Sequence, residues 1–278
     1  SANRGLNLAV GEYIYWGAAD DRVCPGLFEK SMELLAQYPQ AGLCSALVKQ
    51  IGEGGEDKGW IKSAVISKTA CFLPPEKVLA TLIRYGFWFT GQTAILRRDV
   101  VLRETGGVVP ELRHYADQFM DMVVALKCGA CFIPEVLATW RALDSGYAST
   151  MVKNMEVSQS AFEKTTQLMR STTYARLFTE EYTKIWEWRG RYGLETRNFL
   201  RLLQEQIDFL GRLRELRPRP TLLDRGFFAL LELVMMTGGL VAKVYLWHRV
   251  VNWDFPWLAR MLRSRHFKPP SHDRVQRE

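Results

Sequence analysis

Along the first 150 residues, short runs that are apolar throughout alternate with segments whose apolar positions recur every three to four residues. Residues 12–17, EYIYWG, concentrate aromatic and β-branched side chains and predict a buried strand. Pro25 suits the first turn of a helix carrying Leu27, Met32, Leu34 and Leu35, which ends near QYPQAG. AGLCSALVKQI (residues 41–51) predicts a second strand, followed by a glycine-rich loop, GEGGEDKG. From Pro74 a helix runs to about Tyr85, TGQTAILRR then reads as a strand, and RDVVLRETGG as a short helix closed by glycines. Residues 107–116 form a polar loop, and Asp117–Lys127 predicts a helix with Phe119, Met120, Val123, Val124 and Leu126 available for burial. GACFIPEVLATWRAL supplies the last strand. Strands alternating with helices indicate an α/β domain over residues 1–150.

After DSGYAST the pattern changes to helical periodicity with few strand formers, from about Met151 to Gly190 and from Leu194 to Leu216, so residues 151–278 read as an all-helical C-terminal region. Within it, Phe227–Ala242 is strongly apolar but contains Glu232 and two glycines. Its sixteen residues fall short of the roughly 20 that span a bilayer, which leaves a buried helical hairpin, a core helix or an interfacial helix. Trp247, Trp253 and Trp257, with Arg249, Arg260, Arg263 and Arg265, fit the interfacial alternative.

Charge sharpens that division. Residues 151–278 hold 22 Lys and Arg against 14 Asp and Glu, whereas residues 1–150 hold 15 against 16. A basic C-terminal part suits an anionic membrane surface or solvated helix ends; without a recognisable motif or basic stripe, no nucleic acid partner is expected. No basic n-region and apolar stretch precede GEYIYW, so no signal peptide is read and a cytoplasmic chain, peripheral at the inner membrane face, is expected. The five cysteines are an odd number in a chain of ample size, which predicts reduced thiols. Cys128 and Cys131 form a CxxC, but it lacks a second ligand pair and spans a glycine turn into a strand.

The chemistry concentrates at GEYIYWGAADDRVCPG, where an apolar strand ends in Asp20 and Asp21. Ligands bind outside the carboxyl ends of strands in α/β sheets, and two adjacent carboxylates suit a hard cation such as Mg²⁺ or Mn²⁺ carrying a diphosphate. Equally, one aspartate could cap the helix that follows. Two longer runs bear on this choice. NRGLNLAVGEYIYWGAADDRVCPGLFEKSMELL resembles the segment of family 2 glycosyltransferases in which a helix with an Asn-x-Gly start leads into a strand and an acidic metal-binding motif. YADQFMDMVVALKCGACFIPEVLATWR resembles that family's helix headed by a catalytic aspartate, followed by Gly, a strand, Pro and an Arg.

The resemblance covers residues 2 to about 150 and implies a Rossmann-like GT-A domain that binds a nucleoside-diphosphate sugar and transfers the sugar, with inversion, to a hydroxyl of a glycan or lipid-linked acceptor. By position, Asp21 would ligate Mn²⁺ or Mg²⁺, with Asp20 sharing the metal or contacting the ribose, and Asp117 would be the general base. Asp121, one turn further on, and His114 are rival bases. Arg141 could reach phosphate oxygens, or pair with Asp117 or Glu135. The family's first strand and its nucleobase-recognising acidic residue do not appear ahead of Ser1, so the resemblance implies an N-terminally truncated domain. Ala18 and Ala19 stand where members often carry a further Asp, and Ala2 where an Arg frequently precedes the Asn. The competing expectation is a non-catalytic transferase-like module that binds a membrane or a partner.

Overall fold

A computed structural model describes residues 2–61, 63–143 and 145–191, with residues 229, 230 and 233. The described residues up to Trp186 belong to one compact unit, and Glu187 begins a second. In chain order the elements are α1 (Ala2–Leu8), β1 (Tyr13–Tyr15), β2 (Arg22–Val23), α2 (Leu27–Gln37), β3 (Leu43–Ile51), β4 (Asp57–Ile61) and β5 (Cys71–Leu73). There follow α3 (Pro75–Tyr85), β6 (Ile95–Arg97), α4 (Arg98–Glu104), a 3-10 turn at Pro110–Tyr115, α5 (Ala116–Cys128), β7 (Ala130–Arg141), α6 (Tyr147–Lys153) and α7 (Met155–Met169).

Among the described residues the strands make one mixed sheet in the order β1-β6-β3-β7-β2, with β4 paired to β3 and β5 to β7. Only β3 and β7 run parallel within it. Because both faces of this central pair are covered, LCSALV in β3 is fully buried and nearly continuous in apolar character. Leu43 and Leu47 join the larger core cluster with α3 and α5, whereas Cys44 and Ala46 face the smaller cluster under α2. The result is an α/β domain of three layers, as the alternation of strands and helices predicts.

Register explains the odd composition of β7. Leu43–Ala46 pair with Ala130–Ile133, but Leu47 pairs with Val136, so Pro134 and Glu135 are extra residues on β7. A bulge is where a strand tolerates a proline, which has no N–H for the ladder. Glu135 then meets Lys30 of α2 in an ion pair.

Several further features bear on the sequence expectations. The loop GEGGEDKG ends in β4, whose Asp57 and Lys58 are poor strand formers held as an edge hairpin on β3. CFL forms β5 against β7. The long helix expected from Met151 is broken where the Asn154 side chain accepts the Val157 N–H and caps α7. Helix α6 runs across residues 150 and 151, and Phe178 stacks on Phe119 of α5 at 5.5 Å. Cys128 packs with the α5 side of the sheet and Cys131 with the α2 side, so the CxxC sulfurs do not converge. All five cysteines are free. The predicted helix at Leu194–Leu216, most of the run Phe227–Ala242, and the Trp and Arg cluster at 247–265 lie outside the described residues. Among the described residues no helix is long and apolar enough to cross a membrane.

Two glycines give opposite expectations. Gly129 turns α5 into β7 at φ 79°, and a Cβ there would lie 2.6 Å from the Leu73 carbonyl oxygen and the Phe72 ring. Gly5 lies in α1 with nothing within 4 Å of its added Cβ. Urea denaturation should therefore find Gly129→Ala destabilised by about 2 kcal/mol or more. Gly5→Ala should be neutral or more stable by about 0.5–1 kcal/mol.

Candidate functional site

Asp20 and Asp21 occupy the turn between β1 and β2, as the sequence predicts for carboxylates just past a strand. Asp20 is exposed and Asp21 half-buried. Pairing of Arg22 with Thr139 and of Ile51 with Arg141 brings this turn, the β3–β4 loop and the end of β7 together. Arg141 ties all three. Its backbone N–H donates to Asp21 Oδ1 at 2.9 Å, its Nε to the Asp20 carbonyl at 3.2 Å, and its Nη1 to the carbonyls of Glu53 at 2.6 Å and Gly52 at 3.3 Å. The guanidinium expected to reach phosphate oxygens thus spends Nε and Nη1 on backbone carbonyls. Its expected alternative partner Glu135 is paired with Lys30 instead.

Between this corner and Asp117 lie Tyr15 and the turn that holds Gly91 and Gln92. Tyr15, at the end of β1, packs edge-on against Phe28 at 5.4 Å and donates its hydroxyl to the Gln92 carbonyl at 3.1 Å. Burial pushes the Tyr15 phenol up from its ordinary value, and the Asp21 carboxylate raises it further. Gln92 sits in the turn Thr90–Thr93, and a Cβ on its neighbour Gly91 would lie 3.5 Å from Asp117 Oδ2. Buried hydroxyls anchor the turn: Thr93 Oγ1 accepts the Ala46 N–H at 3.1 Å, donates to the Ala46 carbonyl at 3.0 Å, and lies 3.1 Å from the hydroxyls of Ser45 and Thr90. Asp21 and Asp117 therefore border the same edge of the sheet, where β1, β3 and β7 end and β6 begins.

Asp117 is exposed in the first turn of α5, where the helix dipole favours a carboxylate, and its Oδ1 accepts the Gln118 N–H at 2.8 Å. The rival Asp121 is 1% exposed. No acceptor hydroxyl can reach it there, which removes it as a direct base. Burial, and then the Asp117 charge, raise its carboxyl well above the ordinary value. His114 lies half-buried on the 3-10 turn with its ring 4.2 Å from that of Tyr115. It follows Arg113, which among the described residues is the one non-glycine with positive φ, at 53°.

Among the described residues no group of three or more His, Cys, Asp or Glu side chains could enclose a metal. The Asp20–Asp21 turn offers two carboxylates, which fits a cation that takes one or two protein ligands and completes its shell with phosphate oxygens and water. Tyr15, Gly91 and Thr93 were not singled out by the sequence; a small residue flanked by Thr90 and Thr93 was the available signal. Asn3, from the Asn-x-Gly start, pairs through its amide with Val108 N and O, both at 2.9 Å, and tethers α1 to the loop before α5.

Spectrophotometric titration should show Tyr15 ionising above the ordinary tyrosine range, a step absent in Tyr15→Phe. Asp21→Asn removes a negative charge beside the phenol and should move that step to lower pH. Arg141→Ala should cost about 1–2 kcal/mol in denaturant unfolding and speed amide exchange of the 52–55 turn.

No protein-family model matches the chain, and no curated protein matches it. Among solved structures, it is similar to Staphylococcus aureus TarS 1–349 in complex with UDP, at 13% identity and TM-score 0.41, over 65% of this chain and 50% of that one. It is also similar to TarS 1–349 in complex with UDP-GlcNAc, at 14% identity and TM-score 0.44, over 63% of this chain and 50% of that one. The chain thus spans about half the length of TarS 1–349.

Proposed function

We propose that this chain carries the catalytic edge of an inverting, metal-dependent GT-A-type glycosyltransferase that moves a sugar from a nucleoside diphosphate to an acceptor hydroxyl. The observation that carries this reading is the placement of the acidic turn of Asp20 and Asp21 and of Asp117 at the start of α5 along one sheet edge, with Tyr15 and the Gln92 turn between them.

Asp117 is the base. As the acceptor oxygen attacks the anomeric carbon, its proton passes to Asp117, the bond to the diphosphate breaks, and the sugar inverts. Gly91 keeps the space next to Asp117 Oδ2 clear of a side chain. Asp21 and Asp20 hold Mn²⁺ or Mg²⁺; Asp21 has one oxygen engaged by the Arg141 N–H and its other oxygen on the opposite side of the carboxyl carbon. When bound, the cation supplies positive charge to the departing diphosphate. Arg141 serves as a positioning residue, holding the acidic turn through backbone carbonyls rather than touching phosphate. A glycan or lipid-linked acceptor, and peripheral association with an anionic membrane face through the basic C-terminal part, complete the proposal.

Calorimetric titration with Mn²⁺ and a panel of UDP, GDP and CDP should detect metal-dependent nucleotide binding, weakened on the order of tenfold or more in Asp21→Asn. Asp117→Asn should leave that binding within about twofold while donor-sugar transfer falls by roughly 10²–10⁴-fold. Binding unchanged in Asp21→Asn would sink the metal assignment, and transfer unchanged in Asp117→Asn the base. Vesicle binding without any nucleotide binding would favour the non-catalytic module.

A further inference from the structure

Between the 3-10 turn and α7 lies a cavity of about 220 Å³. Its lining joins apolar and charged groups. Buried Ala161 and half-buried Val157 supply carbon surface, while exposed Glu111, Arg113, Glu156 and Lys164, with the Ser160 hydroxyl, surround it. Among the described residues no ion pair joins these four charged side chains to one another or to another group. Two acids and two cations thus border one hollow with their hydrogen-bonding capacity unspent.

Arg113 reaches this cavity from a strained backbone. Its φ of 53° and ψ of −121° lie where glycine goes freely and a residue with a Cβ does not. Among the described residues it is the one non-glycine with positive φ. Strain of this kind gathers at ligand sites, where the side chain is needed in spite of the backbone it must adopt. A glycine would suit the turn better; what the arginine adds is a guanidinium at the cavity.

The lining also selects among ligand classes. An anion such as phosphate would meet Arg113 and Lys164 but also Glu111 and Glu156, and a cation would meet the reverse. A wholly apolar group would strip water from the charges and return nothing. A hydroxyl both donates and accepts. One hydroxylated ring can therefore donate to the carboxylates, accept from the cations and lay its C–H face on Val157 and Ala161. Pockets for drug-sized ligands start at roughly 300 Å³, so the smaller volume here suits a single ring.

We propose that this cavity binds one sugar ring of a neutral glycan, with Arg113 as a specificity-determining contact. Asp117 follows Arg113 by four positions, which puts their Cα atoms at most about 14 Å apart, a span that a short glycan covers. The bound ring is then a distal unit of the acceptor. That assignment rests on the transferase reading; sugar binding in the cavity does not.

Saturation-transfer NMR with the methyl β-glycosides of glucose, galactose and N-acetylglucosamine should detect binding of at least one, displaced neither by inorganic phosphate nor by alanine. Glu156→Gln, Lys164→Met and Arg113→Gly should each weaken that binding on the order of tenfold. Arg113→Gly should at the same time raise the urea midpoint, because glycine relieves the strain. Mn²⁺-dependent UDP binding should stay within about twofold in all three variants. The site is overturned by a wild type that binds no glycoside, by binding unchanged in all three variants, by displacement with phosphate or alanine, or by a lower midpoint in Arg113→Gly. Nucleotide binding lost together with glycoside binding in the variants overturns the acceptor assignment. Glycoside binding that the variants weaken, in a wild type that binds no nucleotide, supports the sugar site and counts against the transferase reading.

Discussion

Everything in the described α/β unit depends on the parallel pairing of β3 with β7. It is the longest pairing in the described sheet, from Leu43 opposite Ala130 to Ile51 opposite Arg141, and it carries helices on both faces. A buried parallel pair needs a crossover connection between its strands, and here the chain from β4 to α5 supplies it. That connection determines where chemistry can sit. The helix that precedes β7 must begin at the edge where β3 and β7 end, so Asp117 at the head of α5 and Asp21 beside Arg141 share one rim.

Polarity along this rim is graded by access to water. Asp20 is exposed, Asp21 is half-buried with one oxygen satisfied by a backbone N–H, and Asp121 is sealed in the core. For Asp121 that sealing raises the carboxyl well above its ordinary value, because desolvation penalises the charged form. Tyr15 lies between these regimes, half-buried and close enough to Asp21 to feel its charge. The buried hydroxyl cluster of Thr93, Ser45 and Thr90 serves a related purpose, supplying polar partners where the backbone of the Gly91 turn crosses the core.

The sequence made β3, β7, α3 and α5 legible because each buries an apolar pattern with the right period, and Gly86 and Gly129 punctuate the two helix ends. β4 was hidden because Asp57, Lys58 and Gly59 have no strand preference of their own and pair only because β3 is already there. The acidic turn was readable as a local motif. What joins it to Asp117 was not, since the Tyr15–Gln92 hydrogen bond spans 77 residues and Gly91 reads as an ordinary turn glycine. Arg141 was noticed for its chemistry but expected to point toward a ligand; register with β3 turned it instead toward backbone carbonyls. Asp121 shares a helical face with Asp117, and only packing tells that one is wet and the other dry.

The bonds from Arg141 to Asp21, Glu53 and Gly52 cross 120, 88 and 89 residues. Contacts of such sequence separation form late, after the loops between them have closed. The acidic turn therefore cannot be assembled by its own neighbourhood in the chain: it becomes ordered only once the last strand has docked beside the first long one. During synthesis, an emerging chain that has completed β1 to β6 would carry Asp20 and Asp21 on a loop that Arg141 has not yet secured. Ordering of the rim and completion of the sheet are thus a single folding event.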